Sequence, residues 1–440
     1  MSLETPMKIR IFQQKLYRKA KAEPAFRFYL LYDKICRQDI LEHAYALVRA
    51  NAGAPGVDGE TFVAIEAAGL EKWLAGLKEE LTTKTYRPAP VRRVMIPKPG
   101  GGERPLGIPT IRDRVAQTAA KLVLEPIFEA DLEDSAYGYR PRRSGLDAVK
   151  QVHRQLRAGY TDVVDADLSK YFDTIPHADL LKSVARRVVD RNVLWLVKLW
   201  LKAPVEERDG KGRRFLTGGK HSTRGTPQGG VASPMLANLY MNRFLKHWRT
   251  CGCGEAFRAR LINYADDFVI LSRGHAAEAM AWTAAVMTKL GLTLNEVKTK
   301  LRDARTEHFD FLGYAFGPYF NRKFGTRYLG AAPSNKSVRR LTTKVGELLV
   351  GGNHAEWPKV RDRLNTIVRG WAAYFSYDTR LMAYRAVDNY VGDAVCRFLQ
   401  RRHKIQTRGT RRFPPAEVFG ALGVVRLRDL HLGPLPCAVR

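Results

Sequence analysis

The stretch "LINYADDFVIL", residues 261–271, sets two adjacent carboxylates, Asp266 and Asp267, between two runs of strand-forming apolar residues. That pattern reads as a hairpin whose Ala-Asp-Asp turn projects its acids from one edge of a sheet. Neighbouring carboxylates repel, and each is costly to desolvate, so a half-buried pair calls for a cation or a metal. The plainer alternative is that the two acids only cap a turn. Upstream, "VVDADLSKYFD" (residues 163–173) puts Asp165 and Asp167 on one face of a short strand that runs into a helix. Two strands from different parts of the chain, each ending in acid, are what a two-metal site requires. Mg²⁺ takes oxygen ligands and is held by one or two carboxylates plus substrate phosphates. Two such ions about 4 Å apart activate an attacking hydroxyl and stabilise the leaving oxygen of an in-line phosphoryl displacement. The expected cofactor is therefore a pair of Mg²⁺ ions, with Mn²⁺ as the substitute.

The charge balance points the same way. The 440 residues carry 74 Lys and Arg against 44 Asp and Glu, a formal +30. A polyanion is the expected partner, and nucleic acid the first candidate; a basic surface kept only for solubility is the competing reading. Residues 331–440 hold 20 Lys and Arg against 8 Asp and Glu, so +12 falls on the last quarter. No run approaches the ~18 apolar residues of a membrane span, since "VLWLVKLWL" (193–201) is short and broken by Lys198. The N-terminus has basic residues but no apolar core or cleavage site, so a cytoplasmic protein is expected, at the nucleoid when on DNA. Five scattered cysteines (36, 251, 253, 396, 437) do not suggest a disulfide framework. "CGCG" with His247 invites a metal, but one C-x-C lacks the paired spacing of a structural zinc site.

Along the chain, helical periodicity from Pro24 gives way to the loop "NAGAPGVDG", and "LEKWLAGLKEEL" predicts a second helix. "VRRVMIPKPGGGERPLGI" (91–108) predicts a strand, a glycine tip and a return strand, with Lys98 and Arg104 on either side of the tip. A long helix follows, which Pro126 is expected to end or kink. "FDFLGYAFG" reads as one strand. Beyond about residue 330 the strand texture fades, and three runs beginning "SVRR", "WPKV" and "YRAV" predict a helical bundle.

The ordered motifs carry a resemblance. "YADDF", with "DADLSKYFD" upstream and "RGTPQGGVASPMLANLY" (224–240) between them, resembles the palm of a bacterial group II intron reverse transcriptase. "NAGAPGVDGETF", "IPKPGGGERPLGIPTIRDRVAQ", "LEPIFEADLEDSAYGYRP", "LGLTLNEVKT" and "FDFLGYAF" fall in that family's order, and "LNTIVRGWAAYF" (364–375) is similar to its maturase, or X, domain. The resemblance covers most of residues 25–400. It implies an α+β right-hand polymerase with an N-terminal extension and the start of the fingers (1–85), fingers (86–160), palm (161–325) and a helical thumb and X domain (330–400). A short basic segment resembling a DNA-binding tail (401–440) follows. It implies RNA-directed DNA synthesis from dNTPs on a DNA primer and target, and maturase binding of the intron RNA for splicing and retrohoming.

By the same resemblance Asp167, Asp266 and Asp267 bind the catalytic metals, while Asp165 is structural. Phe172 stands at the steric gate against a ribose 2′-OH, with core packing as the alternative. Lys98 and Arg104 grip the triphosphate, two cations suited to charge developing on a leaving group, unless they are a solvated basic turn. Gln228 and Gly229 contact the nucleotide, unless the glycines only make a tight helix entry; Gly230 is the weaker candidate. Lys298 matches a lysine proposed to protonate pyrophosphate. Arg369, Trp371 and Tyr374 are candidate RNA contacts, with core packing as the alternative for Trp371 and Tyr374, whose helical spacing suits it. Only about forty residues follow the thumb, with one cysteine, so the HNH-type endonuclease of many relatives is expected to be missing, as in the class C group. A reverse transcriptase co-opted for defence or CRISPR systems, or a maturase that only splices, fits the same motifs.

Overall fold

The computed structural model describes residues 3–97, 102–321, 324–406 and 411–430. Its first layer is helical: α1 (Met7–Ala22), α2 (Tyr32–Ile35), α3 (Gln38–Ala50) and α4 (Phe62–Thr82), the last kinked where Gly69 leaves helical geometry. The hairpin read at 91–108 is present as β1 (Val91–Pro97) and β2 (Glu103–Ile108), paired from Arg92↔Ile108 to Pro97↔Glu103. Lys98 and most of the glycine tip lie outside the described residues.

Helix α5 (Ile111–Glu129) starts at a Thr110 cap and runs three residues past Pro126. Proline cannot donate to the carbonyl four residues back. That carbonyl, Leu122 O, instead accepts a bond from the Gln13 amide of α1 at 2.9 Å. The proline is thus absorbed in the last turn, and α1 gains an anchor on α5.

Helix α6 (Gly145–Arg157) leads to β3 (Asp162–Asp167), α7 (Tyr171–Thr174), α8 (His177–Ala185) and α9 (Arg191–Leu201). A hairpin absent from the sequence reading follows, β4 (Pro204–Arg208) and β5 (Arg214–Gly218). It joins the earlier hairpin through a parallel β1–β4 contact, giving a sheet of order β2-β1-β4-β5. Helices α10 (Ser233–Thr250) and α11 (Cys253–Ala256) then deliver the chain to β6 (Ala259–Tyr264) and β7 (Asp267–Ser272), with α12 (Ala276–Lys289) and β8 (Lys300–Asp303) after them.

The central sheet has the order β6-β7-β3-β8 and is antiparallel throughout. Strand alternation sorts its side chains. Val164, Ala166, Phe268 and Ile270 enter the large core that also holds α1, α3, α5 and α10. Val163, Val269 and Leu271 enter a second core with α6. That core also takes β9 (Phe309–Phe311), β10 (Tyr314–Asn321) and β11 (Thr326–Pro333). The "FDFLGYAFG" run is therefore two strands rather than one: Leu312 (φ +50) and Gly313 (φ +83) turn the chain back on itself. Strand β11 was also unforeseen, because its exposed half, "TRYL", has no apolar alternation to read.

The three predicted C-terminal helices are α13 (Asn335–Leu348), α14 (Trp357–Tyr374) and α15 (Leu381–Arg402), around a third core. The short α16 (Pro415–Phe419) packs into it with Val424 and Leu427. Among the described residues no helix is long and apolar enough to cross a membrane.

Candidate active site at the edge of the central sheet

Register explains how the acids meet. Asp167 at the end of β3 pairs directly with Asp267 at the start of β7, and directly opposed residues share a face with Cβ atoms ~4.5–5.5 Å apart. Asp165 is two residues behind on that face, opposite Val269. Tyr264 pairs with Asp267, so only Ala265 and Asp266 form the β6–β7 loop. Two-residue hairpin loops demand a positive φ at the first position, and Ala265 adopts φ +59 without being glycine.

Electrostatics follows from this crowding. Burial, then Asp266 and Asp167, push the Asp267 carboxyl up to about 7, with Lys298 opposing. Asp267 keeps some contact with solvent, so the cause lies in the protein packed behind it and in the two acids beside it. Burial raises Asp266 as well, and takes Asp165 up to about 6 against the pull of Arg302. The Lys298 ammonium sits 2.9 Å from Asp167 Oδ2, and that hydrogen bond is the main reason its own pKa is raised. Asn295 adds its backbone N–H to Asp167 O at 2.8 Å and its amide to Asp167 Oδ2 at 3.4 Å.

Among the described residues no three His, Cys, Asp or Glu side chains are gathered closely enough to hold an ion as they stand. The donor chemistry nonetheless fits a hard divalent cation: three carboxylates at one sheet edge, two of them raised first by burial and then by neighbouring acids, with oxygen the only ligand type on offer.

Asp167 and Asp266 line a cleft of about 1050 Å³ walled also by Arg104, Gln228, Lys170, Arg224 and Lys298. Arg104 Nε donates to Gln228 Oε1 at 3.0 Å, and Gly107 N donates to Gln228 O at 2.5 Å, so β2 carries the arginine to the "PQGG" loop. Gly229 has φ +110, and a Cβ there would lie 2.2 Å from Gly107 O. Gly230 has no positive φ, and its constraint is Ser233 Oγ, 2.8 Å from where a Cβ would sit.

Phe172 is buried, edge-on to Tyr139 at 6.4 Å, and its carbonyl accepts Thr226 N at 2.7 Å. The cleft is lined instead by the residues on either side of it, Tyr171 and Asp173, with the Tyr171 ring edge-on to Phe172 at 5.8 Å. Tyr374 donates to Leu312 O, and Trp371 packs on Phe375 and Tyr384, so both belong to the join between thumb helices and β9–β10. Arg369 is exposed. Cys251 approaches His247 at 3.4 Å while Cys253 turns into the core. Three further residues at the site had no sequence signal: Asn263, Asn238 and Gly138, whose contacts span up to 100 positions or more.

The described pattern for reverse transcriptase (RNA-dependent DNA polymerase) matches residues 96–316, and that for the group II intron maturase-specific domain matches residues 338–413. Protein YkfC of Escherichia coli is 33% identical over 77% of this chain and 98% of its own length. The group II intron-encoded protein LtrA of Lactococcus lactis is 34% identical over 50% of this chain, and the putative COX1/OXI3 intron 1 protein of Saccharomyces cerevisiae 27% identical over 63%. The matched parts are 35% and 38% of those two longer proteins. The chain accordingly has the right-hand polymerase fold, with the central antiparallel sheet as its palm and the helical bundle as its thumb, and belongs to the group II intron reverse transcriptase and maturase family.

Proposed function

We propose that this protein copies RNA into DNA from dNTPs on a DNA primer, and binds the group II intron RNA that encodes it to promote splicing and retrohoming. The observation that carries the polymerase reading is the Asp167↔Asp267 pairing at a sheet edge, with Asp266 beside it, facing a cleft walled by Arg104 and Gln228. The match to the maturase-specific domain over the basic helical bundle supports the RNA-binding half.

On this reading Asp167, Asp266 and Asp267 hold two Mg²⁺ ions, whose chemistry is to activate the primer 3′-OH and neutralise the leaving oxygen. The rest falls to side chains. Arg104, with Lys98 across the hairpin tip, meets the triphosphate charge. Because Arg104 occupies Gln228 Oε1, the Gln228 amide N–H remains free to donate to the nucleotide. Gly229 lets the backbone approach closely. Lys298, whose Nζ donates to Asp167, would supply a proton to departing pyrophosphate on this reading. Phe172 limits space under the sugar, acting through its neighbours Tyr171 and Asp173, which line the cleft.

The test is extension of a DNA primer on an RNA template by purified protein with dNTPs and Mg²⁺, run beside splicing of a precursor RNA containing this reading frame. cDNA and faster splicing support both halves. No cDNA under Mg²⁺ or Mn²⁺ overturns the polymerase half.

A further inference from the structure

The turn that carries Asp266 and Asp267 does not hold its own shape. Ala265 sits at φ +59, a region residues with a Cβ avoid. Glycine, Asn or Asp would occupy it more readily. The restraint comes from outside the loop. Asn263, almost wholly buried, donates its side-chain amide to Ala265 O at 2.9 Å. Its own backbone is fixed on both sides, Asn263 N to Ser135 O and Tyr137 N to Asn263 O, each at 2.8 Å. The 135–138 segment then lays Gly138 against the turn, where a Cβ would stand 2.5 Å from Ala265 N. Asn238 of α10 locks that segment by donating to Gly138 O at 2.5 Å.

We propose that Asn263 is a positioning residue for the catalytic acids, bracing the left-handed Ala265 turn together with Gly138 and Asn238 so that Asp266 faces the cleft and Asp267 stays opposite Asp167. The inference rests on the assignment of those acids above. Loss of the amide leaves Ala265 O without its partner in a buried place and frees the turn to relax. The nucleotide wall, Arg104 and Gln228, lies on other elements and is untouched. Turnover therefore suffers while nucleotide binding does not.

The experiment compares wild type with Asn263→Ala, Asn263→Asp, and Asn263→Ala combined with Ala265→Gly. Asn263→Ala lowers kcat about tenfold with KM for dNTP within about twofold. Asn263→Asp, which keeps the shape but loses the donor, does the same. Adding Ala265→Gly recovers most of the loss, because glycine accepts the positive φ unaided. A residue that only fills the core would lower the melting temperature and leave kcat alone. That result, or a double variant no better than the single one, overturns the proposal. Amide exchange of residues 264–267 reads the brace without turnover: faster exchange in Asn263→Ala supports it, and unchanged exchange overturns it. Failure of wild type to extend any primer would instead strike the assignment of the acids, leaving exchange to decide the brace.

Discussion

Two adjacent glycines should respond very differently to one methyl group. Gly229→Ala forces a side chain into φ +110 and places its Cβ 2.2 Å from Gly107 O, a backbone atom that cannot rotate away. The strained φ alone is worth ~1–3 kcal/mol. Moving the loop to relieve the clash breaks the bond from Gly107 N to Gln228 O, another ~1 kcal/mol. The total of ~2–4 kcal/mol corresponds to about 30- to 900-fold in kcat/KM for dNTP. Gly230→Ala meets only Ser233 Oγ, which can turn aside at the cost of its 2.7 Å bond from Thr226. One such bond is ~1 kcal/mol, or about fivefold. Steady-state single-nucleotide incorporation on an RNA template measures both. Gly229→Ala within about threefold of wild type, or Gly230→Ala equally damaging, would refute the close-approach argument.

Three further outcomes are expected. Asp388 is buried and accepts bonds from Leu427 N, Arg428 N and Arg428 Nε, so Asp388→Ala should destabilise the thumb by ~1–3 kcal/mol in urea unfolding and expose residues 415–430 to protease. Burial raises the Asp113 carboxyl above its ordinary range despite bonds from Tyr86, Thr110 and Ala89. The folded state thus binds this proton more tightly than the unfolded chain. The contribution to stability is complete below the unfolded carboxylate pKa of about 4 and is lost as pH rises through the folded value. Asp113→Asn should flatten that slope in pH-dependent melting. Phe172→Val removes a buried ring set between the cleft-lining Tyr171 and Asp173, and should cut discrimination against ribonucleotides by at least about tenfold in competition assays.

Much of this was readable in the sequence because it depends on local pattern. Alternation in "LINYADDFVIL" and "VVDAD" fixed strand faces, and so placed Asp167 and Asp267 for a shared edge. Helical spacing gave α13 to α15 in the same way. Partners distant in sequence were not readable. The β4–β5 hairpin has a weak pattern because its outer strand is mostly exposed, and its pairing with β1 lies more than a hundred residues upstream. Nothing in "YADD" says that Ala265 must be left-handed; that follows from the direct Tyr264↔Asp267 pairing. Pro126 stands three residues before the end of α5, and its missing backbone donor is replaced by Gln13 from a different helix, a partner that local pattern could not supply. Phe172 is a matter of depth: its spacing from Asp167 is legible, but its burial edge-on against Tyr139 is not.

The most direct measurement pairs dNTP incorporation with RNA affinity in Asp266→Asn and Asp267→Asn. Each variant keeps the side-chain volume and removes a charge from the edge where β3 meets β7. Incorporation should fall by on the order of a thousandfold or more while the dissociation constant for intron RNA stays unchanged. Extension that survives both substitutions would contradict the assignment of this sheet edge as the catalytic centre.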